Sequence, residues 1–153
     1  MQQSESIANL AAALVKVQPK LQHPKKNAKN PHLKNRFADL GSVIDANRDL
    51  LAEHGLAVVQ TTTSNQWSDS HTSQIGVRTS LVHESGEYIL DECLIPLEPQ
   101  KGLNLPQCAG VAITYLRRYG WQTILGLNAE DDTDGATGGD SASSTPRDVD
   151  DLL

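Results

Sequence analysis

Apolar residues first recur at Ile7, Leu10, Leu14, Val17 and Leu21, the spacing of one face of an amphipathic helix. Ser4 or Ser6 is placed to cap it, and Pro19 limits or kinks its end. The next stretch, QHPKKNAKNPHLKNRFADL, has two prolines, three asparagines and no period, which predicts an extended loop. Periodicity returns at Leu40, Val43, Ile44, Leu50 and Leu51, predicting a second helix capped by Asp39 and ended after His54 by Gly55. The pattern then changes from helical spacing to alternation. LAVVQTTT (Leu56 to Thr63) reads as a strand from its β-branched content. After a polar loop around Trp67, QIGVRTSLVH puts Ile75, Val77, Thr79 and Leu81 on one face and Arg78 and Ser80 on the other. The turn ESGE (Glu84 to Glu87) folds Tyr88 to Ile95 back antiparallel.

A proline-rich loop from Pro96 to Pro106 leads into a helix that starts near Gln107 and runs past Arg118 to Leu125. The order is helix, helix, three antiparallel strands, helix. It predicts an α+β domain: a three-stranded antiparallel β-meander followed by a helix, a β-β-β-α core, with two N-terminal helices and all helices on one face of a small sheet. No internal repeat is visible. The segment TDGATGGDSASSTPR has almost nothing to bury, so the domain is expected over residues 1–134 and a disordered acidic tail over 135–153.

Charge changes this picture because it is segregated. The formal net charge is -6, yet residues 16–36 hold seven basic residues and no acidic one, while residues 130–153 hold eight acidic residues and one arginine. The domain is nearly neutral with one basic segment, and the acidity lies in the tail. Cys93 and Cys108 show neither CxxC spacing nor paired histidines, so neither a zinc site nor a disulfide framework is expected. The N-terminus lacks the order of a secretory signal and no run reaches the ~18 apolar residues of a membrane span. A cytoplasmic protein without membrane contact is expected.

The candidate chemistry lies in ITYLRRYGW (Ile113 to Trp121), two arginines among three aromatic residues in a chain that is 4% aromatic. Ala109, Ala112, Ile113, Leu116, Gly120 and Ile124 form the stripe expected to face the core. The opposite face shows Gln107, Thr114 and Arg118, flanked by Tyr115 and Trp121, with Arg117 at the boundary. Guanidinium forks suit phosphate oxygens, and aromatic rings suit stacking on bases. Joined by Lys25, Lys26, Lys29, Lys34 and Arg36 of the basic loop, with Arg78 on the polar side of its strand, this face has the footprint of a nucleic-acid groove. The same spacing also suits Arg117 and Arg118 pairing with Asp45 or Glu92 while the aromatic rings pack, and a basic loop that is merely solvated.

The run EDDTDG invites a divalent metal such as Mg²⁺ near Glu130, Asp131, Asp132 and Asp134. An EF-hand loop fails, since the twelfth position counted from Glu130 is Ser141. A two-metal nuclease would need carboxylates converging from several elements. No GxxxxGK[ST] stretch occurs, which disfavours a nucleotide-driven recombinase, and the expectation is a protein that needs no cofactor and is not an enzyme. The tip DVDDLL places Leu152 and Leu153 behind Asp148, Asp150 and Asp151, a pattern suited to docking into a basic, apolar-lined pocket of a partner protein.

Four blocks in order resemble the ERF family of phage recombination proteins: NPHLKNRFADLGSVIDANRDLLAEHGLAVVQ, LVHESGEYI, PQCAGVAITYLRRYGWQTILGL and AEDDTDG. The resemblance covers about Ile7 to Gly135. It rests on Lys34, Phe37, Asp39 and Leu40, on Gly86 and Glu87 in the hairpin, on Gln107, Gly110, Ile113, Thr114, Tyr115, Arg117, Arg118 and Tyr119, and on Glu130, Asp131, Asp132 and Asp134. Phe37, Cys108 and Trp121 depart from residues common in the family. The resemblance implies an ATP-independent protein that coats single-stranded DNA, anneals complementary strands through a duplex intermediate and works as a ring or filament of identical subunits. It also implies a core similar to the β-β-β-α arrangement of other annealing proteins. Composition alone leaves a passive single-strand coating protein and a metal-dependent nuclease open beside it. Deleting Gly138 to Leu153 is expected to leave annealing intact or raise it.

Overall fold

The computed structural model of the chain describes residues 1–24, 28–29, 36–66 and 73–127. In chain order the elements are strand β1 (Gln2–Gln3), helix α1 (Ala8–Val17) with a 3-10 turn (Gln18–Lys20), strands β2 (Ala28–Lys29) and β3 (Arg36–Phe37), and helices α2 (Leu40–Asp45) and α3 (Arg48–Glu53). Strands β4 (Leu56–Gln66), β5 (Ser73–His83) and β6 (Tyr88–Pro96) and helix α4 (Leu105–Leu125) follow. The α+β class and the meander stand, but the sheet has four strands rather than three, ordered β1-β6-β5-β4 and antiparallel throughout. β1 pairs Gln2 with Leu90 and Gln3 with Ile89, a match of two residues and too short to leave a period in the sequence. A separate two-residue ladder pairs β2 with β3.

The second predicted helix is two helices. Asp39 caps α2 as expected, accepting from Ser42 N–H at 2.7 Å, but the chain breaks at Ala46 and Asn47. Asn47 is 1% exposed and reads the backbone of Gln22, accepting from its N–H and donating to its C=O, both at 2.8 Å. That pair of bonds ties the chain leaving α1 to the α2–α3 corner and satisfies two part-buried backbone groups. Gly55 ends α3 at φ +68°, as its position predicts.

The start of α1 is held from outside the helix. Ser6 Oγ accepts from Ala8 N–H at 3.2 Å, while the carboxylate of Glu87 accepts from Leu10 N–H at 2.7 Å, Asn9 Nδ2 at 3.0 Å and Ser6 Oγ at 3.2 Å. A side chain from the β5–β6 turn thus occupies the anion-favouring end of a distant helix. The bond from Leu10 N–H, followed by those from Asn9 and Ser6, lowers the Glu87 carboxyl below its ordinary value of 4.5.

All the helices cover one face of the sheet. Leu10 and Val17 of α1, Val43 of α2, Leu51 of α3, Leu56 and Leu81 of the sheet, and Trp121 and Leu125 of α4 share one core. Val77, Thr79 and Leu81 face inward from β5, as the alternation predicts.

Candidate nucleic-acid interface

Helix α4 begins two residues before the predicted start because Asn104 and Gln107 form a reciprocal cap, each side chain accepting from the other's backbone N–H at 2.9 Å. It ends at Gly126, φ +69°, where Leu127 N–H reaches Gln122 C=O at 2.8 Å. Between these ends Gly120 crosses directly over Thr79. A Cβ there would collide with Thr79 Oγ1 and lie 3.2 Å from Gln60 Nε2. The absence of a side chain at Gly120 lets the helix sit close on β5 and fixes the heights of the residues beside it.

Across its 21 residues α4 carries no acidic side chain, and its only charges are Arg117 and Arg118. The Arg118 guanidinium carbon lies 5.5 Å from the ring centre of Tyr115 and 5.3 Å from that of Tyr119. The two rings are 4.3 Å apart and tilted by 40°. Tyr115 is 49% exposed, so this cation–aromatic unit is half open to solvent. Thr114 is exposed, but its hydroxyl donates back to Gly110 C=O at 2.9 Å.

Arg117 leans the other way, over β4. Its Nε donates to Gln60 Oε1 at 3.4 Å, while Gln60 Nε2 donates to Arg117 C=O at 2.8 Å and to Thr79 Oγ1 at 3.0 Å. Gln60, which sequence reasoning passed over, is what holds Arg117 in place. The signal was present: in Leu56, Val58, Gln60 and Thr62 it is an amide at a place where alternation calls for an inward side chain. Asp45 and Glu92, the carboxylates considered as partners for the helix arginines, pair with Arg48 at 3.8 Å and Arg78 at 3.1 Å instead.

Two expected contacts are relocated. Trp121 is 7% exposed and part of the core, so its ring is not available to stack on bases. A single core stripe was the wrong frame for this half of the helix, because α2 packs on α4 while the sheet holds the adjoining side. Burial therefore spreads around the helix to Trp121, Gln122 and Leu125. Arg78 lies on the sheet face turned away from α4, ion-paired with Glu92, its register partner on β6, so the sheet separates it from Arg117 and Arg118. Lys29 and Arg36 are brought opposite each other by the β2–β3 ladder. Lys25, Lys26 and Lys34, the Trp67 loop, the acidic run at Glu130, Asp131, Asp132 and Asp134, and the tail from residue 135 lie outside the described residues.

A mainly apolar cavity of about 440 Å³ opens between α4 and β6, lined by Val77, Leu116, Tyr119, Ile124 and Cys93 among others. Cys93 is exposed and Cys108 buried, both as free thiols. Among the described residues no three histidine, cysteine or acidic side chains gather as a metal site, and no helix is long and apolar enough to cross a membrane. What α4 offers is two guanidinium groups and stacked aromatic rings without a carboxylate on the same helix. That arrangement can hold an anionic polymer whose bases have faces to stack.

The model of the ERF superfamily matches residues 10–149 of the chain. No curated relative matches it.

Proposed function

The chain belongs to the ERF superfamily, and from that membership together with the acid-free face of α4 we propose that it is an ATP-independent single-strand annealing protein of phage-type recombination. The observation that carries the reading is the Tyr115, Arg118 and Tyr119 cluster beside Arg117, on the helix that holds eight of the residues on which the family resemblance rests. Annealing needs no covalent chemistry. Two strands repel through their phosphates, and a protein that neutralises the backbone while leaving base edges free lets complementary sequences meet. In this reading Arg117 and Arg118 hold phosphates, Tyr115 contacts or spaces bases, and Lys29 and Arg36 extend the basic track. Each contact is weak, so repetition along an assembly of identical subunits supplies the affinity. The acidic tail and its Asp148 to Leu153 tip serve regulation or partner docking, not strand pairing.

The test is the rate at which two complementary oligonucleotides anneal, in EDTA and without ATP, with wild type and with a folded Arg117→Ala/Arg118→Ala variant. Acceleration that the variant loses supports the reading. Tight single-strand binding without acceleration would make this a coating protein. Shortened strands that require divalent metal would make it a nuclease.

A further inference from the structure

The two edges of the sheet are treated very differently by the chain. Antiparallel strands turn alternate backbone groups toward each neighbour. On β6, His83 N–H donates to Glu87 C=O at 2.8 Å and Leu97 N–H to Ser73 C=O at 2.8 Å, so the odd-numbered residues face β5 and the even-numbered ones face outward. Of these, Tyr88 accepts from Ser4 N–H at 3.0 Å and Leu90 stands opposite Gln2 of β1. Among the described residues only Glu92, Leu94 and Pro96 remain unpaired at that edge, one bearing a charge and one lacking an N–H. This edge is guarded by the devices that keep strands from pairing with strangers.

The β4 edge has none of them. Its eleven residues, LAVVQTTTSNQ, include no charge, no proline and no glycine. Gly55 C=O accepts from Glu84 N–H at 2.8 Å, and the register continues without a slip from Leu56 opposite His83 to Gln66 opposite Ser73. Val58, Gln60, Thr62 and Ser64 therefore turn their N–H and C=O groups away from β5. Among the described residues no strand pairs with them.

We propose that the outer edge of β4 is a subunit interface, where β4 of a second copy pairs antiparallel about a twofold axis to make one continuous sheet. The occupant follows from what is on offer. Among the described residues the only long unguarded edge is β4 itself, so the matching edge is the same strand of another copy. In an antiparallel pair about a twofold axis each residue faces the one equally far on the other side of the axis, and any charge on the strand would enter the seam twice, once from each copy. β4 has no charge to oppose, and its Thr61, Thr62 and Thr63 are of the type that pairs well across strands. The inference rests on the self-assembly part of the proposed function and not on DNA. A twofold contact closes at two copies, so any larger ring or filament is built from such pairs and holds an even number of chains.

The test uses the full chain without DNA, so its failure and the failure of the annealing assay are separate results. Native mass is measured for wild type and for Thr62→Pro, which removes an outward N–H and leaves the bonds to β5 intact. Wild type should hold an even number of 16.6 kDa chains, and the folded variant should lose the pairing and fall to half that mass or less. Residue-resolved amide exchange of wild type guards against a variant that misfolds. The Val58, Gln60, Thr62 and Ser64 amides should be as protected as those of Ala57, Val59, Thr61 and Thr63, and should lose that protection on dilution. An odd number of chains, a wild-type monomer, a folded Thr62→Pro that assembles like wild type, or outward amides that exchange freely in the assembled protein would each overturn the proposal.

Discussion

Replacing Gly120 by alanine should destabilise this protein, against the usual helix rule. In an exposed helix interior the change stabilises by about 1 kcal/mol, because alanine loses less backbone freedom. Here the added Cβ meets Thr79 Oγ1, in a threonine that is 4% exposed and accepts from Gln60 Nε2 at 3.0 Å. Overpacking of this kind costs about 1–3 kcal/mol, so the net loss is about 0–2 kcal/mol. For a chain of this size each kcal/mol moves the melting midpoint by about 2–4 °C. The decisive quantity is a coupling. Thr79→Ala removes the obstructing oxygen and costs about 1 kcal/mol for the lost hydrogen bond. In that background Gly120→Ala should turn neutral or stabilising, giving an interaction energy of about 1–3 kcal/mol between the two sites. Urea unfolding of the four proteins by circular dichroism measures it. An equal effect of Gly120→Ala in both backgrounds would show that close approach over Thr79 is not what seats α4, and the placement of Arg117 beside Gln60 would lose its explanation.

Glu87 gives a pH signature: its folded carboxyl is lowered below 4.5 by the Leu10 N–H bond, so its stabilisation is complete above that value and is lost as pH falls through the folded value. Wild type should therefore lose stability faster than Glu87→Gln as pH is taken from 6 to 3, and parallel curves would refute the cap. Tyr115→Ala should weaken single-strand binding by about 1–3 kcal/mol without lowering the melting midpoint appreciably, measured by fluorescence anisotropy. Trp121→Ala should do the reverse in kind, costing about 3–5 kcal/mol of stability in urea as a core truncation. The Arg117→Ala/Arg118→Ala variant should flatten the dependence of log affinity on log salt by about 1.4, two phosphates at about 0.7 each on a single strand; an unchanged slope would remove both arginines from the backbone.

The meander and α4 were legible because their signals are local. Alternation over Ile75 to Leu81, the turn at Glu84 to Glu87 and the glycine at 55 each act within a few residues. What stayed hidden depends on partners far along the chain. The α2–α3 break is set by Asn47 bonding to Gln22, 25 residues away, and the cap of α1 by Glu87, 77 residues from Leu10. Glu87 stood out through its family resemblance, but nothing local said what it holds. Trp121 was misplaced because a periodic stripe assumes one packing surface, and α4 has the sheet on one side and α2 beside it. Arg78 looked like a free cation until register placed Glu92 opposite it.

The α4 face and the β4 edge, argued separately, meet at Gln60. It lies on β4, turns its backbone outward to the edge, and holds Arg117 by both its side-chain oxygen and its side-chain nitrogen. Pairing β4 with its copy then carries two Arg117 groups toward the junction, one from each subunit. Without DNA their repulsion opposes the pair, and a phosphate backbone lying across the junction relieves it. Assembly and single-strand binding are linked in consequence, and linkage is reciprocal: whatever factor DNA adds to the association of two copies, association adds to DNA affinity. Sedimentation of the chain with and without a short oligonucleotide should show tighter pairing when DNA is present, and the gain from DNA should be larger at low salt, where the repulsion and its relief by phosphate are both least screened. Arg117→Ala should pair more readily than wild type in the absence of DNA and gain less from adding it. Pairing that is indifferent to both DNA and Arg117 would place the two surfaces too far apart to communicate.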